Sequence, residues 1–254
     1  MRLAALLLLA AFAGLAQARP GEACPDNIEA ALRAIDRKAK IPGDVAASEC
    51  RPWPPAPGGI TAAVMAFEKP GSGDHDREWQ VVIALVDPAR GKALSSHRVR
   101  VQGDATTFIG PSSLSLDLAP YLLKPGVRAL GLRFSSDQYN RSANSRTASP
   151  LRLYVPEGQR LRPVFCQAMG WQDASLGVIG QDAWDEAQTT LSLTPRQTQG
   201  WQDLRLTEQI SRQTPDGEAG KPTLSHRECR FANGVYRCAA GRAEVPTDCD
   251  PAGL

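Results

Sequence analysis

The side chains best suited to covalent chemistry lie in GQDAWDEAQ, residues 180–188, where Asp182, Asp185 and Glu186 surround Trp184. Two carboxylates flanking a sugar are the machinery of glycoside hydrolysis, and the Trp184 indole offers a flat face for a sugar ring. The same residues also read as a turn leading into a strand, with Trp184 packed on a sheet. Asp74, His75 and Asp76 in GSGDHDRE form a second cluster. One short acidic run lacks the ligand count and spacing of a calcium loop, so a solvated hairpin tip fits it better than a metal site. His97 and His226 stand isolated within strand patterns. No HExxH, GxSxG, SxxK or phosphate-binding glycine loop occurs, and GSGDHDR lacks the third glycine of a dinucleotide fingerprint. The sequence thus assigns no catalytic residue, no metal ligand and no cofactor, and the expected class is not an enzyme.

Recognition chemistry is richer. Between Ser135 and Pro150 runs SSDQYNRSANSRTASP, which contains no aliphatic residue larger than alanine. Ser136, Asn140, Ser142 and Asn144 supply short hydrogen-bonding groups, Tyr139 a flat amphipathic anchor, and Arg141 and Arg146 charge. A rigid aromatic among adaptable polar groups is the composition of recognition loops. The segment is also longer than most hairpin connections, and such loops are either functional or disordered. It reads as a binding loop or as a hairpin tip whose polarity keeps it soluble.

The elements that must position these residues are mostly strands. PDNIEAALRAIDRKA places Ile28, Leu32 and Ile35 at helical spacing, with Asp26 as the expected cap. RPWPPAPGG, residues 51–59, cannot form a helix or a central strand and reads as a stiff connector. From Ile60 onward short apolar or alternating runs follow: ITAAVMAFE, EWQVVIALVD, ALSSHRVRVQ, SLSLDL, VRALGLRF, LRLYV and RLRPVF. After Cys166 come EAQTTLSLT, WQDLRLTEQIS, TLSHRECRF and VYRCA. Strands at this spacing without intervening helices predict a mainly β protein, an antiparallel β-sandwich with a short N-terminal helix and a β-rich C-terminal extension. The expected organisation is a signal peptide at 1–18, the helix and proline-rich connector at 19–59, a β-sandwich domain at 60–165, and a β-rich disulfide-containing region at 166–254.

The N-terminus opens with one basic residue, an apolar run from Leu3 to Leu15, and the small-x-small triplet Ala16-Gln17-Ala18. That is the pattern of a cleaved secretory signal, too short to span a bilayer as a mature helix, and it predicts a periplasmic or secreted protein. The formal charge of +2 and the absence of any Lys/Arg-rich stretch argue against nucleic acid as a partner. Six cysteines, an even number in an exported chain, predict disulfides. In CRFANGVYRC, Asn233-Gly234 is a two-residue hairpin turn. Counting outward from it puts Cys229 opposite Cys238 on a non-hydrogen-bonded rung, where side chains lie closer. Cys24 with Cys50 would close a loop around the helix, and Cys166 with Cys249 follows by elimination.

The stretch from about Trp79 to Phe165 resembles the periplasmic inhibitors of invertebrate-type lysozyme. The likeness lies in EWQVVIALVD, in SLSLDLAPYLLKPGVRALGLRFSS, in the polar loop and in PLRLYVPEGQRLRPVF. The resemblance implies an exported β-sandwich that presses a loop into a lysozyme cleft, with a serine and a tyrosine three residues apart as its key contacts. Ser136 and Tyr139 match that spacing, and Arg141 and Arg146 would add charge; Asp137 replaces the glycine expected after the serine. The implied partner is an exported or foreign protein, a lysozyme in the most specific form. The competing expectations are an envelope protein that binds another protein or a glycan, and a glycan hydrolase using the acidic cluster near Trp184.

Overall fold

The computed structural model describes residues 23–35, 41–54, 59–71, 77–103, 107–136, 145–147 (backbone only), 150–174, 179, 181–217 and 220–240. The expected signal peptide, His75 with its flanking aspartates, Tyr139, Arg141 and Cys249 lie outside these residues.

One helix, α1 (Asp26–Arg33), opens the described chain. Asp26 is its first residue rather than its cap: Pro25 holds the cap position in extended backbone, as suits a residue with fixed φ and no N–H. Ile28, Ala31 and Leu32 form the buried stripe, while Glu29 and Arg33 pair on the flank at 2.8 Å. Arg33 also lies 4.5 Å over the Phe67 ring and donates to the Ile41 carbonyl.

The strands that follow are β1 (Val45–Pro52), β2 (Thr61–Glu68), β3 (Glu78–Asp87), β4 (Lys92–Gln102), β5 (Leu114–Asp117), β6 (Leu122–Lys124), β7 (Val127–Arg128), β8 (Leu130–Phe134), β9 (Ser145–Thr147), β10 (Pro150–Glu157), β11 (Arg160–Ala168), β12 (Gly170–Asp173), β13 (Trp184–Thr198), β14 (Trp201–Gln213), β15 (Thr223–Ala232) and β16 (Val235–Cys238). Eight of them form one sheet in the order β1-β2-β3-β4-β11-β10-β8-β5. All its neighbours pair antiparallel except β4 and β11, which meet through a single parallel bridge at Ser96 and Arg160.

This sheet curls until its two edge strands, β1 and β5, come together, so the expected sandwich is instead a nearly closed barrel. Strand spacing specifies many short strands but not whether they split into two layers or roll into one. What closes the roll is a side chain. Glu49 of β1 is buried; one carboxylate oxygen accepts the Leu116 N–H of β5 at 2.5 Å and the other faces Arg51 at 2.6 Å. An edge N–H that the ladder leaves unpaired thereby finds an acceptor.

Alternation explains the long apolar runs. On β2, Ala62, Val64 and Ala66 face the barrel interior with Trp79, Val81, Ile83 and Leu85 of β3. The intervening Ala63, Met65, Phe67, Val82, Ala84 and Val86 pack outward under α1. Both faces are covered, so neither strand shows polar alternation. The connector at 51–59 proves to be partly structural: Arg51 and Pro52 end edge strand β1, where proline is tolerated, and Trp53 is buried in the barrel core.

The second sheet has the order β16-β15-β14-β13-β12-β9, and β6 with β7 forms a small separate ribbon. Its inner face shares an apolar layer with the outside of β10 and β11: Leu151, Leu153, Val155, Val164 and Phe165 meet Trp201, Leu204, Leu206, Cys229, Phe231 and Tyr236. Trp201 stacks on Phe231 with centroids 4.2 Å apart, and Lys124 lies 4.5 Å over the indole. Strand β11 runs continuously through positions 165 and 166, and residues from both sides of that point build this layer.

The Cys229–Cys238 and Cys24–Cys50 disulfides are both present. Cys229 stands directly opposite Cys238, and the turn between them places Asn233 and Gly234 at positive φ, as a primed hairpin turn requires. Cys166 is itself disulfide-bonded; the expected partner, Cys249, is outside the described residues.

Candidate functional site

The polar segment after β8 leaves from a braced position. Ser135 N–H donates to the Ser113 carbonyl at 2.8 Å, and the Ser136 hydroxyl oxygen accepts the Phe108 N–H at 2.9 Å. Phe108 is held in turn, edge-on to Trp79 at 5.7 Å and beneath the Arg77 guanidinium at 5.0 Å. Ser113 secures the same corner by accepting the Gly110 N–H and donating to the Phe108 carbonyl. Ser136 is therefore half-buried at the root of the loop, its oxygen already engaged.

The return path is different. Before re-entering the barrel as β10, the chain forms β9 and pairs with β12, Arg146 opposite Gln172 and Ser145 opposite Asp173. The segment thus departs from the first sheet and comes back along the edge of the second. Strands β8 and β10 are ladder neighbours, so the hairpin inferred from sequence exists, with an added edge strand inside its loop. Of the four expected contact residues, Ser136 lies two residues past the end of β8 and Arg146 lies on β9 in the second sheet; Tyr139 and Arg141 fall between them in sequence, outside the described residues.

Strand geometry separates two members of the acidic-aromatic cluster, Asp185 and Glu186. Asp185 and Glu186 are consecutive on β13, so their side chains leave on opposite faces and cannot flank one substrate. The register instead sets Asp185 opposite Asp173, and Arg212 on the next strand donates to Asp185 at 3.1 Å. That row sets two like charges side by side, with a cation on the far side of Asp185. Trp184 is half-buried, with its indole N–H enclosed.

The histidines divide by burial. His226 is exposed and its Nδ1 lies 3.1 Å from the Thr207 hydroxyl across a strand pair. His97 opposes Ile83 and so faces the barrel interior, where its ring lies 5.2 Å from that of Tyr154. Burial, and then the charge of Arg152, hold its pKa below the ordinary 6.5, opposed by a hydrogen bond with the Leu161 backbone. Tyr121, between the sheets, has its phenol pushed well above the ordinary range by burial and by Asp117, to which it donates at 3.2 Å. Among the described residues no group of three or more His, Cys, Asp or Glu side chains is arranged to hold a metal.

No family model, curated protein or solved structure matches this chain. Nothing in the sequence alone marks Phe108, Arg77 and Trp79 as the supports of the loop. Their one local signal was the apolar pair Phe108-Ile109 in an otherwise polar turn; Trp79 read simply as a strand residue.

Proposed function

We propose that this chain is an extracytoplasmic binding protein that presents the polar segment between β8 and β10 to a macromolecular partner. The observation that carries the reading is the two-sheet anchorage. Ser136 is tied to the barrel through Phe108, and β9 is tied to the second sheet through β12. Fixing both ends of a long polar loop removes part of the ordering cost that binding would otherwise incur. The disulfides accord with an oxidising compartment.

The most specific form of the proposal, taken from the resemblance, is inhibition of a lysozyme. In that form the Tyr139 phenol is the anchor and Arg141 gives charge-assisted hydrogen bonds to the carboxylates of the glycosidase cleft. The Ser136 hydroxyl already accepts the Phe108 N–H and so helps to hold the loop root. Replacing this serine therefore disturbs the loop root as well as any contact, and Tyr139→Ala is the cleaner probe. Cell-wall lysis by a panel of lysozyme classes, with the oxidised protein and with Tyr139→Ala, tests the proposal. Inhibition of one class, weakened by about tenfold or more in the variant, is expected. No inhibition of any class would remove the lysozyme form, leaving the broader reading to partner capture that depends on Tyr139.

A further inference from the structure

The outer face of the second sheet collects charge that the linear sequence disperses. Cys229 and Cys238 point into the apolar layer, so the next pair up the hairpin, Arg230 and Arg237, points outward, one directly opposite the other. Two residues back on the same face of β15 is Glu228, which opposes Arg205 of β14. Arg205, Arg230 and Arg196, the last from the irregular part of β13, approach this single carboxylate at 3.6, 3.8 and 3.7 Å. All three guanidiniums are exposed, and Arg237 has no ion pair among the described residues. Three cations around one anion, with Arg237 facing Arg230 across the ladder, leave an excess of positive charge that a sheet does not favour.

We propose that this face binds an anionic polysaccharide. Arginine's forked donors match carboxylate and phosphate groups bidentately. Further along the same face β13 presents Ser192, Thr190 and Gln188, and β14 presents Thr207 and Gln209, until Glu186 opposite Ser211 ends the neutral row. These neutral side chains recur at every second residue, about 7 Å apart, and give hydroxyls and amides to the hydroxyl rows of an extended glycan. Among the described residues no Trp, Tyr or Phe side chain stands among the four arginines, as a single-stranded nucleic acid would use for stacking. A face several strands wide is also too broad for a duplex major groove of about 12 Å. The choice of a glycan rests on the extracytoplasmic reading; the site is separate from the β8–β10 loop.

The test is binding of the full oxidised protein to polygalacturonate, with neutral dextran and oligo(dT) in parallel at low and moderate salt. Saturable, salt-sensitive binding to polygalacturonate and none to dextran is expected. The Arg205→Gln/Arg230→Gln/Arg237→Gln variant should weaken that binding by about tenfold or more, with a Tm no lower than the parent's because the Arg230–Arg237 repulsion is gone. Should the triple variant fold poorly, Arg237→Glu alone, at an exposed position, should weaken binding severalfold. The proposal is overturned if the parent does not bind polygalacturonate, if a folded variant binds it undiminished, or if oligo(dT) is bound more tightly. Tyr139→Ala should leave this binding unchanged; loss there would move the site to the loop and overturn the assignment, whatever happens with lysozyme.

Discussion

The barrel and the second sheet use the same strand chemistry to different ends. Strands β2 and β3 are buried on both faces, beneath α1 on one side and around the barrel core on the other. Strands β13, β14 and β15 are buried on one face only, and their outward positions are mostly Thr, Gln, Ser, Arg and His, with Glu186, Glu228 and the exposed Leu224 among them. Packing therefore dictates nearly every residue of β2 and β3, while half the positions of the second sheet are left open to selection for something else. The loop from β8 to β10 joins the two regimes, rooted in the rigid one and returning along the edge of the permissive one.

This contrast can be broken by mutation, and the largest effect should come where the two sheets share a layer. Leu153 is fully buried between them. Leu153→Ala should cost about 2–5 kcal/mol in denaturant unfolding of the oxidised protein; a loss under 1 kcal/mol would mean that the layer is loosely packed. Next is the closure of the barrel. Glu49→Ala leaves the Leu116 N–H without its acceptor, and a loss of about 1–3 kcal/mol is expected, with faster amide exchange confined to β1 and β5. Exchange that rises evenly over both sheets would show that Glu49 does not act as a local clasp.

His97 gives a smaller, pH-dependent effect. Its folded-state pKa lies below 6.5, so above about pH 6.5 the ring is neutral in both folded and unfolded chains and its contribution is complete. As the pH falls below 6.5 the unfolded chain takes up the proton first, and stability declines until the folded-state value is passed. His97→Gln should flatten the urea midpoint across that window, and an unchanged slope would remove His97 as its source. The smallest effect belongs to the outer face. Thr190→Ala, at an exposed position opposite Thr207, should shift stability by no more than about 0.5 kcal/mol. A larger loss would mean that this face is structural.

Legibility in the sequence followed the range of the interactions. Strands β2, β3, β10, β14 and β15 announced themselves as apolar or alternating runs, and Asn233-Gly234 fixed the last hairpin with its disulfide. Strand β1 carries no strand signal of its own, and only Arg51 and Pro52 of it fall in the expected connector: VAASECRP mixes proline and charge, and its pairing is decided by β2 and by Glu49. Strands β9 and β12, of three and four residues, exist only because the sheet edge is there to receive them. The barrel could not be told from a sandwich, since its curl depends on the single β4–β11 bridge and on a clasp between residues 67 apart in sequence. Arg196, Arg205, Arg230 and Arg237 are likewise unremarkable until the register of four strands brings them together.

The central claim is that the β8–β10 segment acts as a binding element on a frame that stands without it. The most direct test replaces residues 137–144 with a Gly-Ser linker of equal length, keeping Ser136 and the β9 strand, and measures lysozyme inhibition beside Tm. The account predicts an unchanged Tm, within about 2 °C, and complete loss of the inhibition shown by the parent. Inhibition that survives the replacement, or a parent that inhibits no lysozyme and captures no partner through this loop, would contradict it.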